Sequence, residues 1–257
     1  MATSPPHAGG PRPPARPPAR PGPRRSADRR PAIRPDAIVD AAVALTAESG
    51  IEGWTIRDLT ARLDSWPQVV YHHIGSREAV VHEVVERVVA LFPVPAPGLH
   101  WRDWFRDLLL GIRPVLTAHR GVARRLALYG PTVPSALPII DRGVRLLHAA
   151  GLGDEATAAY GVLFNSALMP LALEDDRVRL DAHPDDRDLL LMVRDGDHCP
   201  GPDDCDGTGL CLFAGSLDRL NSSDEARAAF TEQFYAYTID RALDGVQARI
   251  EQSGAAG

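Results

Sequence analysis

A chain of 257 residues, 44% hydrophobic and 24% charged, is long enough for a small domain and a medium one, which excludes a peptide-scale module. The formal net charge of −6 hides a division, because residues 1–35 carry eight arginines against Asp28 alone, a net of +7, and all 28 basic residues are Arg. Three cysteines, an odd number confined to one stretch, argue against a disulfide framework; the start lacks an apolar run after its basic residues, and the apolar stretch Val84 to Leu91 stops at Pro93. The expectation is a cytoplasmic protein with no membrane partner, and the helical periodicities along the chain make it all-α.

Residues 1–34 alternate Pro, Arg, Ala and Gly and are expected to form a disordered arm, since they hold almost nothing to bury. Its arginines could equally reach phosphates or a minor groove beside a DNA-reading element. From Asp36 to Ser49, Ile38, Ala41, Ala42 and Leu45 recur at helical spacing, and Gly50 ends that helix.

The informative stretch runs from Thr55 to Arg77, TIRDLTARLDSWPQVVYHHIGSR. Thr55 is a helix N-cap with Asp58 in capping-box position, and Ile56, Leu59 and Leu63 share one face. Asp64 to Trp66 form a turn, and Pro67 opens a second short helix where its missing N–H costs nothing. Val70 and Ile74 face one way from it, while Gln68, Val69, His72 and His73 face the other. Ser76 caps a longer helix to Leu91 carrying Val80, Val81, Val84, Val85 and Val88.

These residues resemble the DNA-binding segment of the tetracycline-repressor family, a helix-turn-helix. Thr55, Arg57, Leu59, Leu63, Tyr71, His73, Arg77 and Ala79 keep its register without a gap. Asp64 replaces the usual turn glycine, and Val69 replaces a small hydroxyl residue, offering a surface for a thymine methyl instead. The resemblance implies that Pro67, Gln68, Val69 and His72 face base edges of a double-stranded DNA operator. Thr55, Arg57, Tyr71, His73 and Arg77 would hold the head on phosphates. Against it stands the charge of residues 36–90, four Arg and nine acids, a net of −5.

Beyond Pro93 to Pro97 a helical body follows. Trp101, Trp104, Phe105, Leu108, Leu109 and Ile112 make a broad apolar face, and Arg113-Pro114 is expected to kink or restart the helix. Further helices are expected over 137–149, over 155–174 after Asp154, and from Asp224 to about Glu251. A short helix is expected over 185–194. The domains so drawn are an arm (1–34), a helix-turn-helix head (35–92) and a ligand-binding, dimerising body (99–252). The resemblance, looser here, implies a homodimer packed through the helix over 155–174 and the last helix, with an effector cavity in the body.

By ungapped register from Trp101, the metal histidine of the tetracycline-binding members falls at Leu126, and two ligand contacts fall at Leu108 and Ile112. A drug–magnesium chelate is disfavoured and a small, largely apolar effector fits better, with Asn165, Met169 and Glu174 as further contacts. No cofactor and no catalytic constellation is evident, so an enzyme is not expected. The function implied is a ligand-responsive regulator of transcription, most often a repressor in this family. Two alternatives stay open: an activator with the same head, or a metal or redox sensor using Cys199, Cys205 and Cys211, whose spacing is unlike usual zinc sites.

Overall fold

The computed structural model describes residues 33–180, 209 and 223–255, and among them every regular element is helical. Most of the arginine-rich arm, the helix expected over 185–194 and the cysteine loop lie outside the described residues. Four helices build the head: α1 (Pro35–Ser49), α2 (Ile56–Arg62), α3 (Pro67–His73) and α4 (Arg77–Val89). The body holds α5 (Trp101–Ala118), α6 (Val122–Tyr129), α7 (Leu137–Leu147), α8 (Ala156–Leu180) and α9 (Asp224–Ala255).

Local chemistry sets the head's boundaries. The Thr55 hydroxyl accepts the Asp58 N–H and the Asp58 carboxylate accepts the Thr55 N–H at 2.8 Å, closing the expected capping box on α2. Asp64 takes φ +45 at the turn, the left-handed conformation that Gly usually supplies and that Asp tolerates. Pro67 begins α3, and the Ser76 hydroxyl accepts the Ala79 N–H to begin α4. Val80, Val81, Val84, Val85, Val88 and Val89 bury the inner stripe of α4. Fully buried Trp54 donates its Nε1–H to Thr46 Oγ1 at 2.9 Å, and Thr46 donates onward to the Ala42 carbonyl, so the polar atoms of this core are satisfied.

Head and body share one hydrophobic core that runs from Ile38 through Trp104 to Val246, and residues 33–257 form one compact unit. The join is at a corner. The Ile51 N–H donates to the Arg120 carbonyl at 2.8 Å, and Gly121, at φ +86, turns the chain from α5 into α6. A Cβ on Gly121 would stand 2.7 Å from Ile51 Cγ2, so glycine is required both by conformation and by the closeness of the head.

In the body, α5 continues through Pro114 without restarting, and the helix ends where His119 Nδ1 meets the Val115 carbonyl at 2.8 Å. Helix α9 packs along α5 and α8, with the buried Tyr235 hydroxyl donating to the Leu109 carbonyl at 2.6 Å. Helix α8 runs six residues past the expected end at Glu174. An 18-residue window within 134–176 reaches a mean hydropathy of 1.4, contrary to the expectation that no segment is apolar enough for a span. The cause is visible in α8, which has two apolar faces: Tyr160, Leu163, Ala167 and Leu171 lie in the core, while Val162, Met169 and Leu173 are 55%, 47% and 50% exposed.

Gly121→Ala should lower the free energy of unfolding by about 1–3 kcal/mol, the usual cost of a strained backbone conformation, as read from urea denaturation. An unchanged midpoint would show that the corner is not tightly specified.

Candidate DNA-reading head and head–body junction

The outer face of α3 is open. Gln68, Tyr71, His72 and His73 are exposed, Val69 is half-buried, and only Val70 is fully buried, as the spacing predicted. The His72 and His73 rings meet edge to face at 5.3 Å. Pro67 is exposed at the start of the helix. On α2, Arg57 is exposed, and among the described residues no carboxylate lies within ion-pair distance of it.

Two residues assigned to phosphate contacts are otherwise engaged. Arg77 donates from Nη2 to the Ile51 carbonyl at 2.8 Å and from Nε to the Trp54 carbonyl at 3.4 Å, and its guanidinium lies 4.8 Å from the centre of the Trp54 ring. Its fork therefore staples the loop between α1 and α2 to the start of α4 instead of pointing at a backbone phosphate. The Thr55 hydroxyl donates its proton to Asp58 at 2.7 Å, so it has none to give a phosphate. Both belong to the scaffold.

Several of the acids that make the head negative are paired with arginines. Glu48 pairs with Arg62 at 2.7 Å, Asp40 with Arg87 at 2.7 Å, and Glu52 and Glu78 with Arg125 at 2.9 and 2.7 Å. The pairing with Arg125 holds the Glu78 carboxyl below the usual carboxylate range and raises Arg125. Arg125 sits on α6, so one guanidinium ties the body both to the α1–α2 loop and to α4.

Two clefts border this tie. The larger, about 680 Å³, lies between the Ser49 to Gly53 turn and α6, with Arg120, Arg124, Asp175 and Asp176 in its wall. The smaller, about 450 Å³, lies between α4 and α6, bounded by Val81, His82, Val85, Leu126 and Tyr129. Of the expected effector contacts only Leu126 borders either cleft. Leu108 and Ile112 are fully buried, their aliphatic side chains filling the core. Glu174 forms an ion pair with Arg113 at 3.3 Å, and Arg113 lies over the Tyr235 ring. Asn165 and Met169 point away from the core, on the exposed face of α8, because the helical period places them opposite Leu163 and Ala167.

Sequence reasoning missed Asp175. It is 8% exposed, and its carboxylate accepts the Gly121 N–H at 2.7 Å, fixing the corner that meets the head. Burial raises its pKa, against the pull of the Gly121 N–H and Arg120, with Glu174 and Asp176 adding to the rise. An acid beside two others at 174–176 reads from sequence as a solvated helix end, and no local signal marks the middle one as buried.

A family model described as "Tetracyclin repressor-like, C-terminal domain" matches residues 94–192. The chain is 24% identical over 208 residues to the class C tetracycline repressor of Escherichia coli, covering 73% of this chain and 92% of that protein. It is 27% identical over 92 residues to the class D tetracycline repressor of E. coli, a match spanning 35% of this chain and 42% of that repressor's length. Among solved structures, ActR of Streptomyces coelicolor in complex with (S)-DNPA superposes with a TM-score of 0.61 at 22% identity, over 84% of this chain and 98% of ActR. By these matches the chain is similar to the tetracycline-repressor family of transcriptional regulators, and residues 94–192 match that family's C-terminal domain.

Because the folded pKa of Asp175 lies above its unfolded value, its contribution to stability is fullest in acid and declines as pH rises through the folded pKa. Asp175→Asn keeps an oxygen for the Gly121 N–H without the charge. Urea midpoints from about pH 4 to pH 7 should therefore fall less steeply in this variant than in the parent, with no loss at pH 7. A variant that is weaker at pH 7 and has the parent's slope would refute this role.

Proposed function

We propose that this protein is a homodimeric, ligand-responsive DNA-binding regulator that represses transcription from its operator and is released by a small effector. The observation that carries the DNA-binding part is the open face of α3, a proline-started helix whose one fully buried side chain, Val70, anchors it while Gln68, His72 and Tyr71 stand in solvent. Gln68 and His72 supply donors and acceptors for base edges, Pro67 and Val69 apolar contact, and Arg57, Tyr71 and His73 phosphate contacts.

A second copy fits the exposed apolar face of α8 together with Phe234 and Tyr237 of α9, which are 51% and 62% exposed. Such a patch on long, adjacent helices is what a four-helix interface covers. Two heads would then meet successive major grooves about 34–36 Å apart. Such a regulator works in the cytoplasm, where the operator is.

Small-molecule control is supported by the family and by ActR, whose structures include complexes with (S)-DNPA and actinorhodin. The junction gives this chain a route for it. Anything that moves α6 pulls on Glu52 and Glu78 through Arg125, so effector and DNA would oppose each other reciprocally, with coupling on the order of 1–3 kcal/mol. The effector this body favours is largely apolar, because the position of the metal histidine is occupied by Leu126.

Gel shift against the DNA upstream of the chain's own gene tests this reading. The parent should bind a two-half-site fragment more tightly than either half alone. Gln68→Ala should cost about 1–3 kcal/mol and relax sequence preference, whereas Arg57→Ala should weaken all sequences alike and flatten the salt dependence. Equal binding of the parent and both variants would overturn it.

A further inference from the structure

The chain has four tryptophans, and three of them, Trp54, Trp101 and Trp104, are 2%, 4% and 0% exposed. The fourth, Trp66, is 69% exposed. It is the N-cap residue of α3, in extended conformation, and its side chain makes no capping hydrogen bond. Among the described residues no ring contact or hydrogen bond engages its indole. Its backbone, by contrast, is fixed: the Trp66 carbonyl accepts the Val69 N–H at 2.9 Å, and Pro67 follows at once.

An indole exposed to solvent leaves a large apolar area uncovered, and tryptophan is the side chain that gains most when a partner covers it. Its place in the fold says which partner. Recognition helices enter the major groove with their N-terminal residues against base edges, and Trp66 stands at the N-terminus of α3, ahead of Gln68. Pro67 and the half-buried Val69 follow Trp66, so this end of the helix is aromatic and apolar in place of charged. In the major groove the apolar group that a base pair presents is the 5-methyl of thymine.

We propose that Trp66 is a base-reading residue whose indole packs on the 5-methyl group of a thymine in each operator half-site. The assignment rests on α3 being the DNA-reading helix, as in the proposed function. Nothing in the capping or packing of the head requires an indole here, since the cap uses only its backbone and the side chain stands outside the buried core.

The test uses the full chain and a DNA fragment that it selects from a random pool. Each thymine of that fragment is replaced in turn by deoxyuridine, which removes only the methyl group, and affinity is measured for the parent, Trp66→Ala and Trp66→Phe. At one thymine per half-site the replacement should weaken the parent about fourfold, the worth of one buried methyl, and leave Trp66→Ala unaffected. Trp66→Phe should retain part of the effect. With the other three tryptophans buried, acrylamide quenching of the parent should report chiefly on Trp66 and should fall when DNA is bound. Equal deoxyuridine effects in parent and Trp66→Ala at every thymine would overturn the assignment. A Trp66→Ala loss uniform across all fragments would overturn it in favour of a sugar-phosphate contact. If the parent selects no sequence at all, the DNA-reading role of α3 fails first and takes this inference with it.

Discussion

The hydrogen bond from the Ile51 N–H to the Arg120 carbonyl, at 2.8 Å, is the contact on which the rest of this structure turns. It joins the loop after α1 to the corner between α5 and α6. That corner is held from the other side by Asp175, which receives the Gly121 N–H. A glycine and a buried acid thus fix a point at which head and body are joined by a backbone-to-backbone hydrogen bond. The surrounding arginines extend the contact: Arg77 clasps the Ile51 and Trp54 carbonyls, Arg125 bridges Glu52 and Glu78, and Arg124 meets Asp176 at 2.9 Å. Head and body consequently share one core and fold as one unit instead of two beads on a linker.

This arrangement gives physical content to control at a distance. Helix α3 is short and rests on Val70, so its placement is inherited from α1 and α2. Those helices in turn are indexed to α6 through Arg125. On the proposed reading, an effector need only favour one position of α6 over another, and the ion pairs carry the difference to the head. Partly exposed pairs are individually weak, and the link gains strength from several of them acting around a buried backbone contact. The negative charge of the head, at first sight hostile to DNA, serves this junction: Glu52 and Glu78 are the acids that α6 holds, and Asp40 and Glu48 pair within the head.

The head was legible in the sequence because its signals are local. A capping box at Thr55 and Asp58, a left-handed Asp64, a proline at N1 and a serine cap at Ser76 each act within four residues, and each stands where the spacing placed it. The internal partners of Arg77 were not legible for a related reason. The register showed where Arg77 sits, but what its fork reaches, the carbonyls of Ile51 and Trp54, is set by tertiary approach. The body was legible as helices and less so as a site. Asn165 and Met169 lie on an apolar helix, and periodicity alone does not say which apolar face of α8 meets the core. Leu108 and Ile112 fill space that the register assigned to a ligand. Asp175 could not be told from its acidic neighbours, because its burial depends on α6 arriving above it. The helix does not restart at Pro114, since α5 accommodates a proline four residues before its end.

The most direct test of the junction is native-state hydrogen exchange at two amides, those of Ile51 and Gly121. If the corner opens as one cooperative piece, both should be protected to within about tenfold of each other and lose protection together as urea is added. An Ile51 amide that exchanges orders of magnitude faster than Gly121 would mean that the head detaches while the body stays closed, contradicting a single rigid join between them.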